Sequence, residues 1–173
     1  MSEAKYNVLF LGSGNSARSI MAEAILNREG GDRLSAYSAG IQASSELDPH
    51  AVDLLNRLQF DITSARPKEW SELAGDSGQK FDFIFTVCDK ATMLPRSMWA
   101  HRPVFAHWGV ADPAKVRGND AQVRLAYADA FRMLSNRIMI FVNLPLRSLD
   151  RLAMQRDLDS IGNADAQQAV GAA

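Results

Sequence analysis

The segment Val8–Ser19 constrains the fold more than any other part of the chain. Four consecutive apolar residues, Val8 to Leu11, are typical of a parallel strand that is covered on both faces. The Gly, Ser and Asn residues that follow suit a tight turn with close backbone approach. The segment therefore predicts a strand, a turn and a helix whose N-terminus faces the carboxyl end of the strand.

The same turn predicts an anion site. Amide groups at a helix N-terminus can converge on one tetrahedral oxyanion, and Arg18 adds a forked, permanently charged donor. Phosphate, arsenate and sulfate all suit such a loop. The alternative is an ordinary strand-to-helix turn with a solvated arginine, because a Gly-x-Gly match alone is a weak signal. The predicted oxyanion-binding residues are consecutive: Gly12, Ser13, Gly14, Asn15, Ser16, Ala17, Arg18 and Ser19.

Composition limits the other function classes. The chain has 173 residues, of which 47% are hydrophobic, and this predicts a single domain over residues 1–162 with a flexible tail at 163–173. A net charge of −1 gives no extended basic face, so nucleic acid is not expected as a partner. Because no apolar stretch has signal-peptide flanks or the length to cross a bilayer, we expect a cytoplasmic protein without a membrane partner.

Strands and helices are predicted to alternate along the chain. This order favours a parallel sheet with helices on both faces and with sites at the carboxyl ends of the strands. The predicted strands are Asn7–Leu11, Leu34–Ser38, Phe81–Val87 and Pro103–Ala106, the last at a sheet edge. The predicted helices are Ser16 to about Asn27, Asp48-Pro49 to Leu58, Pro67–Leu73, Asn119 to about Asn143, and Leu149–Ile161, with a surface loop at Gly75–Lys80.

The turn resembles the signature of the low-molecular-weight tyrosine phosphatases and the thioredoxin-coupled arsenate reductases. That signature reads Cys, five residues, Arg, and Ser or Thr at the end of the first strand. Asn15, Arg18 and Ser19 match it, whereas Gly12 occupies the position of the nucleophilic cysteine. The resemblance covers residues 7–162 and implies an α/β three-layer sandwich with a central four-stranded parallel sheet, like that of the low-molecular-weight phosphatases.

A second segment resembles the arsenate reductase branch specifically. His107-Trp108-Gly109-Val110-Ala111-Asp112-Pro113 is similar to its His-Trp-Gly-Val-x-Asp-Pro run, and the resemblance implies that Asp112 is the general acid that protonates the leaving oxygen. By residue type alone, Asp112 also suits an N-cap or turn position before proline. His107 and Trp108 are candidates for a pocket wall. The alternative is that Trp108 caps the edge of the core and His107 hydrogen-bonds to backbone.

The resemblance also implies a relay of two further cysteines after the third strand. Cys88, the one cysteine of the chain, fits the first relay position, but Leu94 stands near the second, so no dithiol can form within the chain. Cys88 also suits a small buried hydrophobe, or a thiol that forms a mixed disulfide with a small thiol or a partner protein. We expect no metal and no required cofactor, and a thiol reductant such as thioredoxin or glutathione only if the chain is active.

These features predict a member of the family that binds phosphate or arsenate but is catalytically impaired, because glycine offers no nucleophile. One alternative is an active arsenate reductase or phosphatase that uses Cys88 or an external thiol. Another is that Gly12 and Leu94 were introduced by mutation into an active enzyme. The last is a protein-interaction module with a vestigial loop, which binds a redox or regulatory protein through a surface around Met93 to Trp99.

Overall fold

The computed structural model describes residues 5–75 and 78–171, and side chains as far as residue 163. The strands within these ranges are β1 (Tyr6–Gly12), β2 (Leu34–Gly40), β3 (Phe83–Thr86) and β4 (Val104–His107). The α-helices are α1 (Arg18–Glu29), α2 (Pro49–Arg57), α3 (Asp120–Val142) and α4 (Arg151–Gly171). Short 3-10 turns occur at Trp70–Glu72, Asp89–Met93, Arg96–Met98 and Pro113–Lys115.

The strands form one parallel sheet in the order β2-β1-β3-β4. Leu11 pairs with Thr86, and Thr86 pairs with His107, so the carboxyl ends of β1, β3 and β4 lie side by side. The predicted four-stranded parallel sheet is confirmed, as is the edge position of β4. The loops that follow these three strand ends therefore meet at one edge of the sheet.

Alternating residues of β1 point to opposite faces of the sheet. Val8 and Phe10 belong to a large core that includes residues from α1, α2, α3 and α4. Leu9 and Leu11 belong to a smaller core on the other face, where the covering layer comes from loops and 3-10 turns, including Ala91 and Leu73. The three-layer sandwich is thus confirmed, but the helices on the second face are single turns in the described part of the chain.

Two predicted helix starts are confirmed by their caps. The Asp48 carboxylate accepts a hydrogen bond from the His50 amide at 2.8 Å, and Pro49 occupies the first helical position of α2. At the start of α3, Asn119 and Gln122 exchange side-chain and backbone hydrogen bonds in a capping box. Helix α3 packs inward through an apolar stripe of Tyr127, Leu134, Ile138 and Phe141, which are all buried.

Several predicted boundaries are wrong. Pro67 does not open a helix: the chain stays extended there because Lys68 and Glu69 pair with Gly40 of β2, and helical structure is confined to Trp70–Glu72. β3 is shorter than predicted, although Phe81 just before it is buried.

The end of the chain also differs from its predicted bounds. Helix α4 begins at Arg151 rather than Leu149, since the 145–148 turn and Asp150 precede it. It continues past Ile161 through the predicted tail to Gly171, and residues 172–173 lie outside the described residues. Residues 76 and 77 of the predicted loop Gly75–Lys80 also lie outside them. None of the described helices combines the length and hydropathy of a bilayer-spanning segment.

Candidate functional site

The loop between β1 and α1 is fastened from outside by a neighbouring segment of chain. Four of its carbonyl groups, those of Gly12, Ser13, Gly14 and Ser16, accept hydrogen bonds at 2.8–3.0 Å from amides of the segment 41–48. No described residue accepts a backbone hydrogen bond from the amides of residues 14–17. Four loop carbonyls are thus committed to the 41–48 segment, while the amides of residues 14–17 have no backbone acceptor among the described residues and belong to residues that line a cavity.

Asn15 braces the loop from within. Its backbone lies in the left-handed region at φ 52°, which asparagine tolerates better than most residues, and its side chain is buried. The side-chain amide donates to Ser19 Oγ at 2.9 Å, and Oδ1 accepts from the Lys68 amide at 2.9 Å. One side chain therefore links the turn, the first helical turn of α1 and the chain after α2.

Gly40, at the end of β2, allows the loop to lie against the sheet. A Cβ at this position would stand 2.9 Å from the backbone of Ser13 and of Gly14, and 3.0 Å from the amide nitrogen of Asn15. Backbone atoms of a hydrogen-bonded loop cannot yield, so only glycine fits. The predicted strand ends at Ser38, and no sequence pattern indicates the contact between Gly40 and the loop.

The sequence-predicted residues Arg18 and Asp112 are brought together at the mouth of this loop. The guanidinium donates to the Val110 carbonyl at 2.8 Å and lies 3.5 Å from Asp112 Oδ2, with only 11% of the Arg18 side chain exposed. Asp112 also caps the 3-10 turn Pro113–Lys115, since its Oδ1 accepts from the Ala114 amide at 3.0 Å. Both interpretations of Asp112, as a turn residue and as a site residue, therefore describe its environment.

Two adjoining cavities open at this edge of the sheet. The smaller, of 200 Å³, is lined by all the predicted loop residues from Gly12 to Ser19, together with Ser44, Asp48, Asp112 and Ala114. The larger, of 640 Å³, shares Ser13, Arg18 and Asp112 with it and extends to Cys88, His107 and Arg137. The first has room for an inorganic oxyanion, and the second has room for an organic group.

Asp48 lines the same small cavity as Arg18, and Tyr127 holds it from behind. The Tyr127 hydroxyl donates to Asp48 Oδ2 at 2.6 Å, and the Asp48 amide donates to the Ser16 carbonyl at 3.0 Å. Burial and the neighbouring Asp48 and Asp112 carboxylates raise the pKa of Tyr127 well above its ordinary value. The tyrosine therefore stays a neutral donor, and it fixes Asp48 against the loop.

A second group of charged side chains, Glu23 and Lys68, lies near the contact between Asn15 and the Lys68 amide. Glu23 of α1 accepts a hydrogen bond from Ser38 of β2, and burial raises the pKa of the Glu23 carboxyl, partly offset by Ser38 and the nearby Lys68 ammonium. Burial likewise lowers the pKa of Lys68, against the attraction of Glu23. The backbone of Lys68 bonds to both Gly40 and Asn15, so this cluster is connected to the loop.

Cys88 and Leu94 both contribute to the smaller core. Cys88 is buried in the smaller core with Ala91 and Trp99, and one side of it lines the larger cavity. Leu94 packs against the same core at its edge. The residues around Met93 to Trp99, named above as a candidate partner surface, differ in exposure: Trp99 is buried, whereas Met93 is 81% exposed and Met98 is 44% exposed.

His107 and Trp108 have different environments. Trp108 is fully buried and stacks on Phe85 at a ring distance of 3.8 Å, so its interpretation as a pocket wall is wrong. His107 does line the larger cavity, but its ring nitrogens pair with side chains rather than backbone: Nδ1 with Thr86 Oγ1 at 2.7 Å, and Nε2 with Asp89 Oδ1 at 3.1 Å. Across the described residues, no cluster of His, Cys, Asp and Glu could hold a metal ion.

Comparison with known proteins now decides the family. Residues 7–150 match the family model of the low molecular weight phosphotyrosine protein phosphatases. The chain belongs to this family. Family members of known name that it resembles include an arsenate reductase from Oceanobacillus iheyensis, 32% identical over 142 residues, which cover 80% of this chain and 96% of that protein. An arsenate reductase from Bacillus licheniformis is 34% identical over 124 residues, or 69% of this chain and 82% of that protein.

Solved structures support the same fold. An arsenate reductase from Archaeoglobus fulgidus is 27% identical and superimposes with a TM-score of 0.58, over 76% of this chain and 98% of that one. A low-molecular-weight protein tyrosine phosphatase from T. tengcongensis, at 23% identity, has a TM-score of 0.65 over 80% of this chain and 98% of that one. At that identity the second likeness concerns the fold alone. Both the sequence family and the architecture implied by the resemblance are confirmed.

Proposed function

We propose that this chain binds a tetrahedral oxyanion, phosphate or arsenate, in the loop Gly12–Ser19, and that it does not turn the anion over by covalent catalysis. The observation that carries this proposal is the fastening of the loop. Its carbonyls are bonded to the 41–48 segment, which leaves the amides of residues 14–17 for a ligand. Oriented amides of this kind bind phosphate in many proteins without further machinery.

Arg18 supports the proposal because its position is already fixed. The Val110 carbonyl and Asp112 hold the guanidinium at the cavity, so a ligand does not have to order it. A planar, charged donor held in advance binds a tetrahedral anion with little loss of side-chain entropy. The cavity of 200 Å³ around it accepts an inorganic anion.

The proposed lack of covalent chemistry depends on Gly12, which stands in the nucleophile position by resemblance to the family signature. A hydrogen atom cannot attack phosphorus or arsenic, and water is a far weaker nucleophile than a thiolate. The absence of a thiolate also removes a negative charge close to the bound anion, which would otherwise repel it. Binding is therefore expected to survive the loss of chemistry.

The test is isothermal calorimetry with phosphate and arsenate at millimolar concentrations. Arg18→Ala should weaken binding about 10- to 100-fold, because hydrogen bonds to charged groups contribute roughly 1.5–3 kcal/mol. Arg57→Ala is the matched control: it removes the same charge from an exposed pair with Asp53 on α2 and should leave affinity unchanged. If the unmodified chain binds neither anion, or if both variants bind equally, the proposal is wrong.

A second candidate function is arsenate reduction or phosphatase activity through Cys88. The observation in its favour is that Cys88, Ser13 and Arg18 line the same cavity of 640 Å³. Reduction of arsenate to arsenite takes two electrons, which two thiols supply as they form a disulfide, and one arsenate oxygen leaves as water with the two thiol protons. Cys88 would provide one thiol, and glutathione or thioredoxin the other. Turnover of arsenate or para-nitrophenyl phosphate that disappears in Cys88→Ala would establish this function in place of the first.

A further inference from the structure

The wall of the anion cavity contains two carboxylates, which is unexpected for a site that attracts anions. Asp112 and Asp48 both line the cavity of 200 Å³ together with Arg18. A carboxylate repels a fully deprotonated ligand, but it accepts a hydrogen bond from a ligand that carries a proton. Which of the two situations applies depends on the ligand, and sulfate differs from phosphate in this respect.

The two carboxylates differ in the acceptor capacity that they have left. Asp48 uses three of its roughly four acceptor positions: Oδ1 accepts from the His50 amide at 2.8 Å and the Ala51 amide at 3.4 Å, and Oδ2 accepts from the Tyr127 hydroxyl at 2.6 Å. Its main effect on the cavity is a fixed negative charge. That charge lowers the affinity for any ligand in proportion to the ligand's own negative charge.

Asp112 is the carboxylate that can accept from a ligand. Its Oδ1 accepts from the Ala114 amide at 3.0 Å, while its Oδ2 lies 3.5 Å from Arg18 Nη2, beyond a normal hydrogen bond. Oδ2 therefore retains lone pairs beside the same guanidinium that faces the anion. An oxyanion held between Arg18 and the loop amides would place one of its oxygens next to this acceptor.

We propose that Asp112 makes the site selective for oxyanions that carry a proton. Phosphate and arsenate at neutral pH retain at least one hydroxyl group, which can donate to Asp112 Oδ2. Sulfate and selenate are fully deprotonated, so each would place a bare oxygen against that carboxylate without a hydrogen bond. This inference rests on the proposed function, because it names which tetrahedral anions the same loop accepts.

The test compares four anions by calorimetry at pH 7, in pairs of similar size: phosphate with sulfate, and arsenate with selenate. Phosphate should bind about 10- to 100-fold more tightly than sulfate, and arsenate should exceed selenate by a similar factor, which is the effect of one charge-assisted hydrogen bond. If affinity depends on the size of the anion instead, or if all four anions bind equally, the proposed selectivity is wrong, although anion binding itself still stands. Absence of binding by all four would instead overturn the proposed function.

Asp112→Asn removes the carboxylate acceptor from the cavity but keeps the cap of the turn Pro113–Lys115. The asparagine side-chain oxygen can still accept from the Ala114 amide, while the new amide group donates toward the cavity. Sulfate and selenate affinities should rise about 10-fold or more, and the preference for phosphate and arsenate should collapse. Asp53→Asn, which neutralises an exposed carboxylate on α2, is the matched control and should leave all four affinities unchanged.

A variant that keeps its preference for phosphate after Asp112→Asn would show that Asp112 is not the selective group. Circular dichroism and the thermal unfolding midpoint establish whether the variant is folded. Should the substitution disturb the turn at Pro113–Lys115, the ratio of phosphate to sulfate affinity in the unmodified chain still decides the proposal, because it requires no variant.

Discussion

The loop Gly12–Ser19 and the segment Cys88–Trp99 both follow central strands, yet they are held in different ways. The loop is fixed by hydrogen bonds from distant residues, including Gln42 and Ser44, and by the buried Asn15 side chain. The backbone bonds within the described Cys88–Trp99 segment are local, such as Ala91 to Cys88 at 3.3 Å and Leu94 to Ala91 at 3.4 Å.

This difference explains why the loop does not need a reactive side chain at Gly12 to keep its shape. None of the contacts that hold the loop involves a side chain at Gly12, so its geometry is independent of a thiol there. The Cys88–Trp99 segment depends on apolar side chains, chiefly Ala91 and Trp99, for its attachment. Leu94 contributes to that attachment, because its side chain packs against the same apolar core.

The largest effect that the comparison predicts is a gain of activity in Gly12→Cys. A Cβ at this position would lie 3.1 Å from Ser19 Oγ and 3.6 Å from Val87 Cγ2, so a small side chain fits after a slight shift of the serine. Hydrolysis of para-nitrophenyl phosphate should rise at least about 100-fold over the unmodified chain, because a thiolate in the cradle can form the covalent intermediate.

Gly12→Ala is the control for this gain, since it fills the same space without a thiol and should stay inactive. Gly12→Cys combined with Arg18→Ala should also stay inactive, because the anion is no longer held for attack. If Gly12→Cys folds and binds phosphate but shows no turnover above Gly12→Ala, the loop does not have the geometry that catalysis needs.

The second effect is a loss of loop shape in Gly40→Ala. The added methyl group would stand 2.9 Å from loop backbone atoms, and overpacking of this kind costs about 1–3 kcal/mol of unfolding free energy. Phosphate affinity should fall at least ~10-fold, because small displacements of oriented donors weaken binding strongly. Denaturant unfolding and calorimetry measure the two quantities.

Ala36→Val provides the comparison for Gly40→Ala. It adds bulk to a buried position of the same strand, at the end away from the loop. It should cost stability while phosphate affinity stays unchanged. Equal losses of affinity in the two variants would mean that β2 affects the loop through general instability rather than through the contact at Gly40.

The extent to which the sequence predicted the fold follows from the range of the interactions involved. Strand β1, the caps at Asp48 and Asn119, and the stripe of α3 all depend on residues within a few positions, and all were predictable. The extended chain at Lys68 and Glu69 was missed because its structure comes from pairing with Gly40, which lies on β2.

The residues of the candidate site show the same contrast between local patterns and contacts that depend on the fold. The family signature identified Arg18 and Asp112, and the structure brings them together at 3.5 Å. The Tyr127 contact with Asp48 joins two helices, and no local pattern announces it. Asp48 was predictable as a helix cap, but its place in the wall of the cavity depends on the fold.

A smaller effect concerns pH and the charged cluster near the loop. Burial raises the pKa of Glu23, so the folded state binds a proton more tightly than the unfolded state does. Its contribution to stability is therefore complete below the ordinary value of 4.5 and is lost as the pH rises through the folded-state pKa. As the pH rises through this range, the thermal unfolding midpoint of Glu23→Gln should therefore fall less than that of the unmodified chain.

Glu29→Gln, at an exposed position on the same helix, is the control for this comparison and should follow the unmodified chain. Lys68 has the opposite sign, since burial lowers its pKa and its contribution is lost as the pH falls through the folded-state value. That window lies between the lowered pKa and the ordinary value of 10.5, so it can be separated from the Glu23 window. Identical profiles for Glu23→Gln and Glu29→Gln would mean that Glu23 does not titrate in this way.

The smallest effect is expected at Met93, on the outer side of the Cys88–Trp99 segment. Its side chain is 81% exposed, so Met93→Ser should change the unfolding free energy by no more than about 0.5 kcal/mol and leave phosphate affinity unchanged. Trp99→Ala, in the same segment but buried against Trp70 and Phe81, should cost about 3–5 kcal/mol. Denaturant unfolding separates the two, and a large loss in Met93→Ser would show that the outer side is packed in solution, as a partner or a second copy would require.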